Sequence, residues 1–300
     1  MDAVAARNEL DLYGAASDRG GWHHGARYAA AALAEHGMVD WLTEHGIAAH
    51  WRDTVGSGLA PDQGTALEAV AALCNRLAGR VEASVAQGRK FVVFGGDHSC
   101  AIGTWSGAHN GLPVDARLGL IWYDAHMDAH TPATTPSGRL HGMPLACLMG
   151  HGPRELTEIA RRGPGLLPHN LCLIGVRSYE DGERALLGHL GVRVIQMDEV
   201  RRHGLRAATE EALAIARRGT DGFGISIDLD VLDPADAPGV GSRVAGGLGG
   251  DELAQALAVV GGAPDLLGLE LAEYNPVLDR NFRTEDQVRR LLAATLNGTR

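Results

Sequence analysis

The segment DAHMDAH, residues 124–130, sets an ionisable side chain at every second position directly behind the apolar run LGLIWY. In an extended chain Asp124, His126, Asp128 and His130 would share one side of the backbone. Other apolar runs end in a similar way: KFVVFGG in Asp97-His98, GISI in Asp228 and Asp230, and GLELA in Glu273. Taken singly, an aspartate after a strand is commonly a turn former or helix cap, and a histidine a hydrogen-bonded structural residue. Delivered together to one partly dry rim, the carboxylates repel one another, lose hydration and take up protons unless a cation compensates them. An oxygen-plus-imidazole donor set without thiolate favours manganese, iron, cobalt or zinc, and two cations sharing bridging carboxylates would use this many ligands.

The elements that must position these residues follow from the pattern. Residues 25–42 read as a helix interrupted near Gly37, and residues 66–87 as a longer helix bounded by GSGLAPDQG and GRK. Strands are predicted at KFVVFGG, LGLIWYD, LCLIGV, VRVIQM, FGISIDLD and LLGLELAEY, with helices at 154–161, 181–190, 205–217 and 251–260. Near-continuous apolar strands separated by helices imply an α/β fold with a mainly parallel sheet covered on both faces. In such sheets ligands sit beyond the carboxyl ends of the strands, where the ionisable groups lie. No repeat or linker-like break divides the sequence, so residues 1–300 are expected to form one domain.

Composition narrows the function classes. A formal charge of -10 with no offsetting basic block argues against a general nucleic-acid binder. Cys74, Cys100, Cys147 and Cys172 form neither a CxxC pair nor a disulfide-dense framework, which fits a reducing compartment. The start, MDAVAARNELDLYG, lacks the regions of a signal peptide, and no apolar stretch is long enough to span a bilayer. A soluble cytoplasmic protein without a membrane partner is expected.

GGDHS, DAHMDAHTPATTPSGRLHG, SIDLDVLDP and GLELAEYNP resemble, in order and spacing, the signature segments of the ureohydrolase family of arginases, agmatinases and formimidoylglutamases. AIGTWSG and VAGGL extend the likeness over about residues 90–290, with wording nearest to arginase. The resemblance implies a three-layer α/β/α domain, homotrimers or homohexamers, and two Mn2+ per chain at the carboxyl edge of the sheet. By position it implies one ion held by His98, Asp124, Asp128 and Asp228, and another by Asp124, His126, Asp228 and Asp230. Asp124 and Asp228 would be the bridges. Such ions make water nucleophilic near neutral pH. Glu273 would pair with a guanidinium, His141 resembles the family histidine that passes protons to the departing amine, and Asp128 joins them as a catalytic residue. Asp233 is expected to order its loop or support the ligands.

The positions that would read the far end of the substrate depart from the arginase pattern. Ser137 is retained, but His130 and Arg139 occupy two positions where arginases carry asparagine. Glu180 stands where an arginase presents an aspartate near the substrate amino group, Ser242 replaces a threonine, and Arg243 follows where proline is usual. The expected substrate is a small guanidino or amidino compound that also bears a carboxylate. L-arginine, hydrolysed to L-ornithine and urea, leads. Agmatinase, guanidino-acid hydrolase and formimidoylglutamase activities are the alternatives, and Arg139 disfavours the wholly cationic agmatine if it faces the pocket. A catalytically silent subunit or an arginine sensor would be expected to lose metal ligands, and none of the six positions is lost.

Overall fold

A computed structural model describes residues 9–56 and 63–297. Most of the start read for a signal peptide, the middle of GSGLAPDQG and the last three residues therefore lie outside the described residues. Eight strands follow one another as β1 (Leu10–Ala15), β2 (Ala49–Val55), β3 (Lys90–Phe94), β4 (Leu118–Tyr123), β5 (Leu171–Val176), β6 (Arg193–Gln196), β7 (Gly222–Asp228) and β8 (Leu266–Ala272). They pair in parallel throughout, in the order β2-β1-β3-β8-β7-β4-β5-β6.

The inner strands are buried at nearly every position because both of their faces are covered. On β3, Val92 and Phe94 enter one core while Phe91 and Val93 enter the other; on β4, Ile121 and Tyr123 alternate with Leu120 and Trp122. Helices Ala29–Glu35, Met38–Glu44, Leu205–Ala216, Gly250–Leu257 and Arg283–Asn297 supply the first core. Helices Ala66–Ala86, Ala101–Gly111 and Pro144–Leu148 supply the second. The result is the three-layer α/β/α arrangement expected from the sequence. Among the described residues no helix is long and apolar enough to cross a membrane.

Local chemistry sets several boundaries. Gly37 adopts φ 74 and divides the first helical stretch where the sequence reading places an interruption. The Ala66–Ala86 helix begins at Thr65, whose hydroxyl accepts from the Glu68 N–H (3.1 Å) while the Glu68 carboxylate accepts from the Thr65 N–H (2.7 Å). This helix lies against Ala101–Gly111 because Gly103, Gly107 and Gly111 leave room for its backbone: a Cβ there would approach the Cys74, Ala78 and Glu82 carbonyl oxygens to 2.7, 2.5 and 2.7 Å. The helix expected over 154–161 spans only Arg154–Thr157, and the chain beyond it turns through Gly163 at φ 89.

β1 and β2 escape the sequence reading. β2 is an edge strand with alternating burial, and Asp11 interrupts the apolar run of β1. Asp11 is fully buried and accepts from Ser84 Oγ (2.6 Å), Arg52 Nε (2.6 Å) and Arg89 Nε (2.7 Å). Burial alone would raise its pKa, but these donors hold it below the ordinary aspartate value. Its stabilisation is therefore complete above the unfolded pKa of about 3.9 and fades as pH falls through the lower folded value. Asp11→Ala should lower stability by about 3 kcal/mol, the low end for breaking a buried pair because both arginines are partly solvated. The cost should shrink below about pH 4. Denaturant unfolding of both proteins across pH checks this, and an unchanged midpoint at neutral pH refutes it.

Candidate active site

The sheet order sets the carboxyl ends of β3, β8, β7 and β4 side by side. His98 opens a 3-10 turn after β3, Asp124 follows β4, Asp228 ends β7, Asp230 lies in the next 3-10 turn, and Glu273 follows β8. Backbone donors fix the carboxylates. Asp228 Oδ1 accepts from the Asp230 N–H (2.8 Å), and Asp230 Oδ1 accepts from the Ala125 N–H (3.2 Å). Their second oxygens face imidazoles: Asp228 Oδ2 is 3.1 Å from His98 Nδ1, and Asp230 Oδ2 is 3.0 Å from His126 Nδ1.

The even spacing of DAHMDAH does not act as one strand face. β4 ends at Tyr123, and Asp128 takes φ 48, so the four side chains part. Asp128 Oδ2 turns to His98 Nδ1 (3.1 Å), His126 joins Asp124 and Asp230, and His130 turns to Glu180 (2.9 Å). Two groups of donor atoms, each within 4.8 Å, gather the expected ligands: His98, Asp124, Asp128 and Asp228, and Asp124, His126 and Asp230; His130 falls in a third, with Glu180 and Glu183. Asp124 belongs to the first two. Asp228, expected as a second bridge, falls only in the first.

The donors fit a cation by one decisive detail. His98 Nδ1 is buried without a hydrogen-bond partner, although Asp124, Asp128 and Asp228 oxygens lie 3.1–3.4 Å away. The other ring nitrogen, Nε2, is 3.0 Å from Ser226 Oγ, and that hydroxyl donates to Glu270 Oε2 (2.8 Å). Ser226 must therefore accept from Nε2–H, which leaves the lone pair of a neutral imidazole on Nδ1, aimed among three carboxylates. That arrangement is repulsive unless positive charge lies between them. With protons as the only counter-charge, burial and the Asp124 charge push Asp128 up to about 7, and burial raises Asp228 and Asp230. Burial opposes protonation of His98 and His126, yet their carboxylate neighbours push both up. A divalent cation would displace those protons.

Glu273 and His141 form the adjoining pair. Glu273, at φ 65, donates its N–H to the Gly96 carbonyl (2.8 Å), and its Oε1 accepts from the His98 N–H (3.0 Å). The same oxygen lies 3.3 Å from His141 Nδ1. Burial would lower the His141 pKa, but the Glu273 hydrogen bond and charge push it up to about 9. Asp128 and Glu273 are thus non-glycine residues held in the left-handed region, at roughly 1 kcal/mol or more each.

Comparison with known proteins decides what this arrangement belongs to. The Arginase family model matches residues 8–297. The arginase of Bacillus caldovelox is 44% identical over 218 residues, covering 73% of this chain and 72% of that one. A solved structure of Bacillus caldovelox arginase superposes with a TM-score of 0.91 at 36% identity, covering 97% of this chain and 99% of the other. Entamoeba histolytica arginase, solved with L-ornithine, gives 0.88 at 26% identity over 96% and 98%. The chain belongs to the arginase family. The paired His/Asp groups are the dinuclear metal-binding site of a metal-dependent hydrolase acting on a guanidino substrate.

Beside the metal site of this arginase-family chain opens a cavity of about 230 Å³. His126, Asp128, Asp228 and Asp230 form its floor with His141, whereas His98, Asp124 and Glu273 are buried and do not line it. His130, Ser137, Arg139, Glu180 and Ser242 all line its wall, so the structure brings together every residue expected to read the substrate's far end. Asp233 is off the cavity and orders its loop, accepting from the Ala235 and Gly246 N–H groups (both 2.9 Å). Glu183 and Trp22 are among the wall residues that the sequence reading did not single out. Glu183 is buried, accepts from the Ala129 and Glu180 N–H groups (3.1 and 3.0 Å), and is pushed up to about 8 by burial. Trp22 arrives from the loop after β1. The first helical turn after Glu180 could have signalled Glu183; nothing in RGGWHH marks Trp22.

Proposed function

We propose that the chain hydrolyses L-arginine to L-ornithine and urea with two Mn2+ bound at the paired His/Asp groups. The observation that carries this reading is the unpartnered Nδ1 of His98 among three carboxylates, next to a cavity whose wall bears one guanidinium, that of Arg139, with no carboxylate partner among the described residues. His98, Asp128 and Asp228 would hold one ion, His126 and Asp230 the other, and Asp124 both. Bound there, the pair supplies water activation near neutral pH and offsets the negative charge of the donors. Glu273, buried behind the cavity floor beside His141, would pair with the substrate guanidinium through Oε2, which has no protein donor among the described residues. Protonated His141 donates to the side-chain nitrogen as its bond to the guanidinium carbon breaks, giving ornithine its amine. Ser137, Arg139, Glu180 and Ser242 bind the amino-acid end, and His130 orients Glu180.

A guanidino acid without an α-amino group is the second reading. It is favoured by Glu180, whose carboxylate is already engaged by His130 Nε2 at 2.9 Å rather than left for a substrate ammonium. We also read residues 1–300 as one domain, supported by the single eight-stranded sheet and the family match, and assign homotrimers or homohexamers in the cytoplasm on the family likeness.

The test is a manganese-loaded assay on L-arginine, agmatine, a guanidino acid and formimidoylglutamate, with urea, ammonia and formamide measured separately. L-arginine should be preferred, chelation should abolish turnover, and metal analysis should find two ions per chain. Preference for agmatine overturns the substrate assignment, and one ion in fully active protein overturns the dinuclear assignment.

A further inference from the structure

We propose that Trp22 is a specificity-determining residue that holds Arg139 as the receptor for a carboxylate at the far end of the substrate. The inference deepens the guanidino-hydrolase reading above and rests on it. Trp22 is 56% exposed and belongs to neither apolar core, so packing gives no reason for a large aromatic there. Its ring lies 4.2 Å from Arg139 Cζ, well within the range of cation–π attraction. Arg139 Nη1 donates to the carbonyl of the preceding residue, Gly21, at 3.2 Å. One face and one nitrogen of the guanidinium are therefore fixed by two successive residues of the same loop.

The loop is itself anchored to the catalytic floor. The Gly20 N–H donates to Asp97 Oδ2 (3.0 Å), and the Gly20 carbonyl accepts from the His141 N–H (3.2 Å). Gly20 has no room for a side chain, since a Cβ would lie 2.4 Å from Asp97 Oδ1. Residues 20–22 thus register Arg139 and His141 against each other, and with them the two ends of a bound substrate.

What remains of Arg139 is the edge of the fork. Its Nε and Nη2 have no acceptor, and its guanidinium has no carboxylate partner, among the described residues. The indole covers one face, so a ligand meets the guanidinium most favourably in its own plane, where two carboxylate oxygens match two N–H groups. Glu180 does not compete for this edge because it is paired with His130. A cation stacked on an aromatic ring, unpaired, on the wall of an otherwise acidic cavity selects for a negative group at the substrate's far end.

The experiment measures kcat and KM for L-arginine, 5-guanidinopentanoate and agmatine with wild-type enzyme, Trp22→Ala and Trp22→Phe, alongside metal content and thermal midpoint. Trp22→Ala should raise KM for both carboxylated substrates about 10-fold while changing kcat little, so the arginine-to-agmatine ratio of kcat/KM falls by a similar factor. Trp22→Phe, which keeps a ring face, should recover most of the ratio. An unchanged ratio, or a Phe variant as poor as Ala, overturns the role of Trp22 while leaving L-arginine hydrolysis standing. A wild-type enzyme that turns over neither carboxylated compound overturns the functional reading, and this inference with it.

Discussion

Asp124→Ala is expected to lose both metal ions and to turn over substrate about 10³-fold more slowly or worse, the scale set by several kcal/mol of lost cation stabilisation. Asp124 is the donor common to the two groups. Its Oδ2 lies 3.4 Å from His98 Nδ1 and accepts from Trp122 Nε1 at 2.9 Å, while its Oδ1 accepts from the His126 N–H at 2.7 Å. Removing the carboxylate takes a ligand from each cation and leaves the buried indole N–H without an acceptor. His126→Ala should behave differently, emptying mainly the second position, because His126 joins only the Asp124 and Asp230 group. Metal analysis after equilibration at defined free manganese separates the two variants. Retention of two ions by the Asp124 variant would sink the bridging assignment.

His141→Asn should keep its metal and lose about 10²- to 10⁴-fold in kcat, the usual worth of a positioned proton donor. The pH profile carries more information than the magnitude. His141 is pushed up to about 9 by Glu273, so it is protonated through the neutral range and loses its proton as pH rises past that value. If it acts as an acid, wild-type kcat falls on the alkaline side of about 9, and that limb is missing in the asparagine variant. Equal turnover of the two proteins across neutral and alkaline pH would remove His141 from proton transfer.

The inner sheet was legible because strands buried on both faces are nearly free of polar residues; LGLIWY and LCLIGV could hardly be anything else. β1 and β2 were not, because Asp11 looks like a break until Arg52 and Arg89 are seen to neutralise it, and an edge strand such as AHWRDTV has one solvated side. The metal donors were legible for a related reason: strand ends in a parallel sheet are brought together by topology, whatever their separation in sequence. Their directions were not. Periodicity assigns His130 to the same side as Asp124, whereas the left-handed turn at Asp128 sends it to Glu180. Trp22 lay beyond reach because its role depends on a long-range docking of loop against loop, and no local propensity encodes that.

β8 is the last strand in the sequence, yet it lies in the interior of the sheet between β3 and β7. Before it is synthesised the chain can build only two half-sheets, β2-β1-β3 and β7-β4-β5-β6, each with an open apolar edge where β8 belongs. His98 stands at the end of one open edge, and Asp228 at the end of the other. The donors of the four-residue group therefore meet only when residues 266–272 slide between the halves, whereas Asp124, His126 and Asp230 all belong to one half. A chain released from the ribosome before that point carries two mutually unsatisfied edges and is prone to pair wrongly or aggregate. Capture of a cation by His98, Asp124, Asp128 and Asp228 together then waits for β8 to join the two halves.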